Sequence, residues 1–493
     1  MRNIKNYVVA AFALFLLDGC DFLDYDETSG KTKAEAYSYF NNMNSSVAYI
    51  YGFLPTDFGR VSDAMMESAT DNSVYTWENN SIYYITNGIW SPLKRVDDGW
   101  GFWNGVRSAN LFLENFDPKV LERFQYNEDY DEMIDKASKF SLEVRFLRAF
   151  YLFELAKRYG DIPLITRTYT QEEINSVRKT SFADVIDFIA KECTEITREG
   201  GLPEDGVRGE TGRVTKGAAL ALKSRALLYA ASDLHNPAHD LTKWEAAAKA
   251  AYEVIKMNKY QLPNVSTDPL YSDLGGNEVL KSKQLIFERR AIATTSDFES
   301  RNEPMGYEGA EGGNTPTQNL VDAYEMKDGT PFDWNNPTHV ANMYYDASNK
   351  ETRDPRLYKN VLTNGSIWQK QKVEIFEGGK NKILDGSTKT GYYLRKYMNP
   401  SVSLDPDKPN KLYHHYVLFR YAEILLNYAE AMNEWKGPDA TAEGCPLTAR
   451  EALNQVRDCA DMKHVTENGA DFTAKVRNER RIELAFMIFA VGR

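Results

Sequence analysis

The sequence predicts a mainly α-helical protein in which stacked helix pairs carry a loop-rich lobe with short strands. Three observations support this fold class. Four segments have the Thr-x-x-Glu spacing of a helix capping box. Several stretches repeat apolar residues at three- and four-residue steps. Two regions, 55–105 and 262–410, are instead rich in Gly, Asn, Asp, Pro, Tyr and Trp. The chain of 493 residues is long enough to bury a large core.

The capping boxes predict four helix starts. In such a box, the hydroxyl and carboxylate side chains satisfy free backbone amides in the first helical turn. The boxes begin at Thr32, Thr170, Thr242 and Thr448, each with Glu three residues later.

Apolar periodicity predicts the positions of seven helices. They cover 141–159, 181–197, 215–232, 243–257, 413–435, 447–460 and a segment from 473 onward. Alanine-rich faces in two of them allow neighbouring helices to approach closely. Successive antiparallel helix pairs of this kind are typical of a tetratricopeptide-type stack, here with an irregular period.

The two loop-rich regions are expected to carry function, because ordered loops longer than about 15 residues are uncommon otherwise. They contain only short strand-like pieces, such as 284–287. No low-complexity linker separates them from the helices. Residues 20–493 are therefore predicted to form one body.

Residues 1–19 have the layout of a bacterial lipoprotein signal peptide. Arg2 and Lys5 precede an apolar stretch, 8–17, which is too short to span a bilayer. The residues before Cys20 resemble a lipoprotein box, so we expect Cys20 to be lipidated and to anchor the mature chain at a membrane surface. The alternative is a buried N-terminal helix.

The remaining cysteines predict neither a disulfide framework nor a zinc site. Cys193, Cys445 and Cys459 are odd in number and lack CxxC spacing. Cys193 fits a small core position in a helix. The sequence leaves open whether Cys445 and Cys459 pair.

Composition and motifs argue against several function classes. With 59 Lys+Arg against 71 Asp+Glu, the chain lacks the cationic excess of a nucleic-acid binder. It contains no GxxxxGK[ST], GxGxxG, HExxH, GxSxG or DxDxDG motif, and Pro237 interrupts the spacing between His235 and His239. We therefore predict no catalytic residue, cofactor or metal site. An all-α glycoside hydrolase stays open, because its two carboxylates need no fixed spacing.

Aromatic and polar residues alternate in the loops, which is typical of sugar binding. The C–H face of a pyranose lies on an aromatic ring, while amides and carboxylates take its hydroxyl groups. The predicted ligand-binding residues are Asp71, Asn72, Tyr75, Trp77, Tyr83, Trp90, Tyr307 and Trp334. The alternative for each ring is that it fills the underside of its own loop. The acidity of the loops favours neutral or cationic ligands.

Several motifs, spread in order over the chain, together resemble the SusD/RagB family of outer-membrane nutrient-binding lipoproteins. They are Cys20 to Asp24, Asn104 to Asn110, Phe112 to Glu114, Glu143 to Tyr151, Tyr159 to Pro163, Gly212 to Ala219, Asp354 to Arg356, Arg420 to Glu430, Leu453 to Arg457 and Glu479 to Ala485. After Phe486 the family continues with a longer tail, whereas this chain runs from Met487 to Arg493. We therefore expect a truncated C-terminus.

The resemblance implies four tetratricopeptide-like helix pairs, a loop-rich lobe, no catalysis and a TonB-dependent (SusC-like) outer-membrane transporter as partner. The protein would capture oligosaccharide at the exterior of the cell and deliver it to that transporter. The family's ligand site corresponds to the region 71–90 and to the stretch around Tyr307 and Trp334. Peptide capture within the same family, and a tetratricopeptide-type scaffold that binds only protein, are the alternatives.

Overall fold

The computed structural model describes residues 33–91, 93–97, 99–206, 210–272, 276–383 and 387–487. The predicted signal peptide, the lipidation site at Cys20, the capping box at Thr32 and the final six residues lie outside these ranges. Within them, none of the helices combines the length and the apolar character that crossing a bilayer requires.

Long helices form the scaffold, and the periodicity predicts all of them except the first two. In chain order they are α1 Phe40–Tyr51, α2 Gly101–Asn115, α3 Tyr130–Tyr159, α4 Phe182–Ile196, α5 Lys216–Ala231, α6 Leu241–Ile255, α7 Tyr421–Lys436, α8 Ala449–Cys459 and α9 Gly469–Glu483. Each of α3 to α6 packs against the next in sequence, while α1 and α2 pack on α3. Helix α7 packs on α6 although residues 256–420 lie between them, and α8 and α9 pack on α7. The lobe is therefore an insertion into a continuous stack.

Two of the predicted capping boxes are confirmed. At Thr170 and at Thr448, the threonine side chain accepts a hydrogen bond from the backbone amide of the glutamate three residues later. The side chain of that glutamate accepts a hydrogen bond from the backbone amide of the threonine. The box predicted at Thr242 is wrong. Helix α6 begins two residues earlier, because the Asp240 carboxylate caps it by accepting the Thr242 amide at 2.9 Å.

The helix predicted over 413–435 is wrong in its first part. Residues Tyr416–Arg420 form a strand whose five residues are all buried. This run of aromatic and branched residues has high strand propensity, and it pairs antiparallel with Leu285–Arg289. The helix predicted from 141 begins earlier, at Tyr130, because Met133, Ala137 and Phe140 continue its buried face.

The loop-rich lobe carries short strands. They are β1 Arg60–Val61, β2 Ala64–Met65, β3 Ser73–Tyr75, β4 Leu285–Arg289, β5 Asn314–Pro316, β6 Val361–Leu362, β7 Ile367–Trp368, β8 Gln371–Lys372, β9 Tyr393–Leu394 and β10 Tyr416–Arg420. All pairs are antiparallel: β1 with β2, β3 with β5, β4 with β10, β6 with β9 and β7 with β8. Strand β3 belongs to the first loop region and β5 to the second, so this pair joins the two regions.

Short helices complete the described chain. The α-helices are Lys33–Ala36, Tyr83–Thr86, Gln171–Ile174, Pro269–Ser272, Asp297–Asn302, Gln318–Ala323, Pro337–Ala341 and Pro355–Asn360. The 3-10 turns are Asp57–Gly59, Met66–Ala69, Pro118–Phe124 and Asn277–Lys281. Cys193, Cys445 and Cys459 are buried as free thiols, so Cys445 and Cys459 do not pair.

A buried group of charged residues, which we call the ionic core, joins the lobe to α7, α8 and α9. It comprises Arg356, Arg420, Arg457, Glu479 and Glu483. Arg356 donates to Glu479 at 2.5 Å and to Glu483 at 2.8 Å, and Arg457 donates to Glu479 at 2.8 Å. Burial raises the pKa of Glu483, but Arg420 and Arg356 outweigh it and hold that pKa at about 2. The family-like motifs around these residues therefore form interior structure.

Candidate functional site

The exposed rings of Trp77, Tyr84 and Trp90, which we call the aromatic edge, follow strand β3 in the first loop region. Their side chains are 40%, 36% and 58% exposed. Strand β3 pairs with β5, and the Thr76 amide extends the pairing by donating to the carbonyl of Gly313 at 2.8 Å. The edge therefore starts from a segment that is fixed to the second loop region.

Trp77 is held by its indole nitrogen. Its Nε1 donates to the carbonyl oxygen of Glu311 at 3.1 Å. The Glu311 carboxylate in turn accepts from Arg301 Nη1 at 2.7 Å, which fixes the loop that carries this carbonyl. Because the N–H group is already bonded, the exposed part of the ring is left for apolar contact with a ligand.

Tyr83 forms the base of the edge beside Lys389. Its hydroxyl donates to the Tyr75 carbonyl, and its ring lies 5.6 Å from the Lys389 ammonium. Lys389 Nζ also donates to Glu78 Oε1 at 2.9 Å, and this hydrogen bond lowers the pKa of Glu78. A cation, an anion and an aromatic ring therefore adjoin one another here, and all three remain in contact with solvent.

Two of the predicted ligand residues are interior instead. Tyr75 is 3% exposed and Asn72 is 4% exposed, so neither presents side-chain surface to a ligand. Asn72 Oδ1 accepts from Arg481 Nε at 2.6 Å, and its Nδ2 donates to Glu67 at 2.5 Å. Asp71 stays exposed but also accepts from Arg481, at 2.7 Å. These polar groups anchor the loop to α9.

Tyr307 and Trp334 occupy different surroundings. Tyr307 is half-buried, and its hydroxyl donates to the Trp368 carbonyl at 3.1 Å. Trp334 is 49% exposed, and its Nε1 donates to Asp322 at 2.9 Å. Its ring centroid lies 5.2 Å from that of Phe332. The loop of Tyr307 leads into β5 and so to the aromatic edge, whereas Trp334 belongs to a second exposed cluster.

The aromatic edge is an exposed surface. Two open grooves in the described structure have volumes of about 330 and 320 Å³, and neither is lined by a predicted ligand residue. The described residues also contain no group of three or more His, Cys, Asp or Glu arranged to hold a metal ion. The arrangement provides stacking faces and hydrogen-bonding groups for a ligand that lies across it.

Sequence reasoning missed Glu78, Glu311 and Lys389 at this site. Glu311 is 234 positions from Trp77, and Lys389 is 311 positions from Glu78. No local spacing links residues so far apart. The one signal in the sequence was the composition of the second loop region, which resembles that of the first.

Comparison with known proteins identifies relatives over most of the chain. A model of the SusD family matches residues 284–486. SusD-like protein P25 of Formosa agariphila is 21% identical over 534 aligned positions, which cover 98% of this chain and 88% of that protein.

Solved structures share the fold. A crystal structure of a SusD-like protein from Bacteroides fragilis NCTC 9343 superposes with a TM-score of 0.71 at 27% identity, covering 94% of this chain and 86% of that one. A SusD-like carbohydrate binding protein from the same organism has a TM-score of 0.68 at 26% identity, covering 92% and 85%.

Proposed function

This chain belongs to the SusD family, and on that premise we propose that it captures oligosaccharides or polysaccharide at the cell surface and delivers them to a TonB-dependent outer-membrane transporter. The similar protein from Bacteroides fragilis that is described as carbohydrate binding supports the glycan as ligand. The aromatic edge provides the chemistry that such a ligand needs.

The observation that carries the proposal is the exposed, fixed indole of Trp77. Its nitrogen is bonded to the Glu311 carbonyl, and its side chain is still 40% exposed. A ring that is already oriented loses little conformational entropy when a sugar stacks on it. Trp90, at 58% exposure, supplies a second platform on the same loop.

An open surface of this kind gives modest affinity. Stacking on a few rings leaves much of an oligosaccharide in water, so we expect dissociation constants from about micromolar to millimolar, or roughly −8 to −4 kcal/mol. Such affinity suits a protein that releases its ligand to a transporter. The proposed role involves no covalent chemistry and no cofactor.

The N-terminal sequence supports placing this activity at the outer membrane. Lipidation of Cys20 would attach the protein to the outer membrane, with the helical body and the loop-rich lobe at the cell exterior. A protein held there meets large glycans before they enter the cell.

The test is binding of soluble protein, begun after Cys20, to an array of oligosaccharides and peptides, with recovered ligands checked for cleavage. We expect intact glycan to bind and Trp77→Ala to weaken that binding at least tenfold. Tyr126→Ala is the matched control, because Tyr126 is an aromatic residue that is 92% exposed and lies between α2 and α3.

Other outcomes would overturn parts of the proposal. Binding of peptides alone would replace glycan by peptide as the ligand, and cleaved ligand would make the protein an enzyme. An unchanged affinity in Trp77→Ala would remove the aromatic edge as the site. Absence of any ligand on the array would favour a scaffold that binds only protein.

A further inference from the structure

Two cations lie side by side at the end of the β6–β9 ladder. Val361 pairs with Leu394 in this antiparallel ladder, so the next position brings Arg395 opposite Asn360. The Arg395 amide donates to the Asn360 carbonyl at 2.9 Å, and Lys359 directly precedes Asn360. The backbone therefore places Arg395 opposite the residue that follows Lys359.

Neither cation has a partner among the described residues. Both side chains are half-buried, yet no carboxylate lies within ion-pair distance and no acceptor within hydrogen-bond distance of either one. Burial, followed by the charge of Arg395, lowers the pKa of Lys359, and burial lowers the pKa of Arg395. Arg356, only three residues before Lys359, is by contrast fully buried and bonded to three carboxylates.

An aromatic residue and a carboxylate lie near the pair. Tyr345 and Glu351 pair in an isolated antiparallel bridge, and the exposed Glu351 carboxylate interacts electrostatically with both Arg395 and Lys359. Tyr345 packs at 5.5 Å from the Tyr358 ring. In a chain with a net charge of −12, a concentration of unpaired cations is a local exception.

Lys372 adds a third positive charge near Tyr345. A Cβ atom placed on Gly365 would lie 3.5 Å from Lys372 Cε and 3.9 Å from Tyr345 Cε2, so both side chains border the same glycine turn. Like Lys359 and Arg395, Lys372 has no ion pair within the described ranges.

We propose that Arg395 and Lys359, beside the Tyr345 ring, form a subsite for the anionic group of an acidic oligosaccharide, either a uronic acid carboxylate or a sulfate ester. The inference rests on the proposed function, because it names the class of glycan. Arg presents a planar fork of donors that matches carboxylate and sulfate oxygens, and Lys adds a point charge. A bound anion would pair with these two cations, which have no ion pair among the described residues.

The subsite adjoins the second exposed cluster. Tyr344 precedes Tyr345, and its hydroxyl lies 2.5 Å from that of Tyr392. Tyr392 donates to Gln318 at 2.6 Å, and Gln318 donates to Asp322, the partner of Trp334. This series of hydrogen bonds connects the Trp334 cluster, through the interior, to Tyr344, which is the chain neighbour of Tyr345. The preference for neutral or cationic ligands expected from loop acidity does not apply at this point.

The test compares wild type with a Lys359→Gln/Arg395→Gln double variant. The matched control is Lys119→Gln/Lys191→Gln, which also removes two charges, at exposed lysines without ion pairs in the described structure. The probes are oligogalacturonate and a neutral laminarin oligosaccharide, measured by calorimetric titration, and inorganic sulfate, measured by thermal shift. We expect oligogalacturonate affinity to fall at least tenfold and sulfate stabilisation to vanish in the double variant only.

Each remaining outcome has a defined meaning. The subsite would be overturned if the wild type and the double variant responded equally to both anionic probes. It would also be overturned if the wild type responded to neither probe. If the neutral oligosaccharide still bound in that case, glycan capture would stand. If sulfate stabilisation were lost in the double variant while no oligosaccharide bound wild type, the anion subsite would stand and glycan capture would fail.

Discussion

The ionic core and the aromatic edge differ in both exposure and role. Arg356 and Glu483 in the core have no exposed side-chain surface, and their hydrogen-bonding groups are directed at each other. Trp77 and Trp90 at the edge are 40% and 58% exposed. The core residues lie in the motifs that resemble the family, while the edge residues lie in a loop without such a motif. Family resemblance in this chain therefore marks what holds the lobe to the helices, and it does not extend to the surface that we propose binds the ligand.

Breaking the ionic core should have the largest effect. Glu483→Ala removes an acceptor of Arg356, Arg420 and Tyr271. Arg356 keeps Asp354 and Glu479, but Arg420 is left buried without a carboxylate, so we expect a loss of about 3–5 kcal/mol in the free energy of unfolding. Chemical denaturation measures it. The control is Glu278→Ala, which breaks the exposed pair with Lys281 and should cost less than about 1 kcal/mol. Equal losses would show that the core does not hold the lobe.

Glu303, a buried carboxylate with no ion pair among the described residues, should give a distinct pH dependence. Burial and then Glu299 raise the pKa of Glu303 to about 8, although Trp368 donates to it at 3.3 Å. The folded state then holds a proton that the unfolded state releases above pH 4.5, so stability falls as pH rises from 4.5 to about 8 and levels off above it.

Glu303→Gln should remove that decline. The amide oxygen can still accept from Trp368 and Gln369, and each unit of pKa shift removed corresponds to about 1.4 kcal/mol at high pH. Melting temperatures of wild type and variant between pH 4.5 and 9 measure the difference. The two curves should diverge as pH rises, with the variant more stable at pH 9. Parallel curves would mean that Glu303 is ionised in the folded protein at neutral pH.

Changes at the aromatic edge should affect binding and leave stability intact. Trp90→Ala removes an exposed ring, so we expect a glycan affinity about tenfold weaker, near 1.4 kcal/mol, with a melting temperature close to that of wild type. Trp90→Phe should keep part of the affinity, because a smaller ring still stacks. A large fall in melting temperature for Trp90→Ala would instead make this ring part of the core.

The smallest effect is expected at the ion pair beside the edge. Lys389→Gln breaks the exposed pair with Glu78 and should leave the melting temperature close to that of wild type, because an exposed ion pair contributes little to stability. Because the Lys389 ammonium also lies over Tyr83, a two- to threefold change in glycan affinity should accompany it. Glu78→Gln tests the same pair and leaves the cation over the ring. If both variants changed affinity equally, the ion pair itself, and not the cation over Tyr83, would position the ring.

The helical scaffold was accessible from sequence because its signals are local. The capping boxes at Thr170 and Thr448 and the buried faces of α4 and α5 each depend on residues within one or two helical turns. The predicted helix boundaries were wrong in two situations. A nearby residue could cap the helix instead, as Asp240 does for α6, or a distant strand could pair with the segment. The strand β10 is extended because β4 pairs with it, and that partner is more than 100 positions away.

The sequence by itself determined the mainly α class, the family resemblance and the two loop regions that carry aromatic residues. Only the tertiary structure decided which of those residues face solvent. Tyr75 and Trp77 stand two positions apart, yet the first is 3% exposed and the second 40%. The reason is the fixed packing of β3 against β5, together with Arg481, which binds Asp71 from 410 positions away. Burial depends on such distant partners, and a local pattern does not encode them.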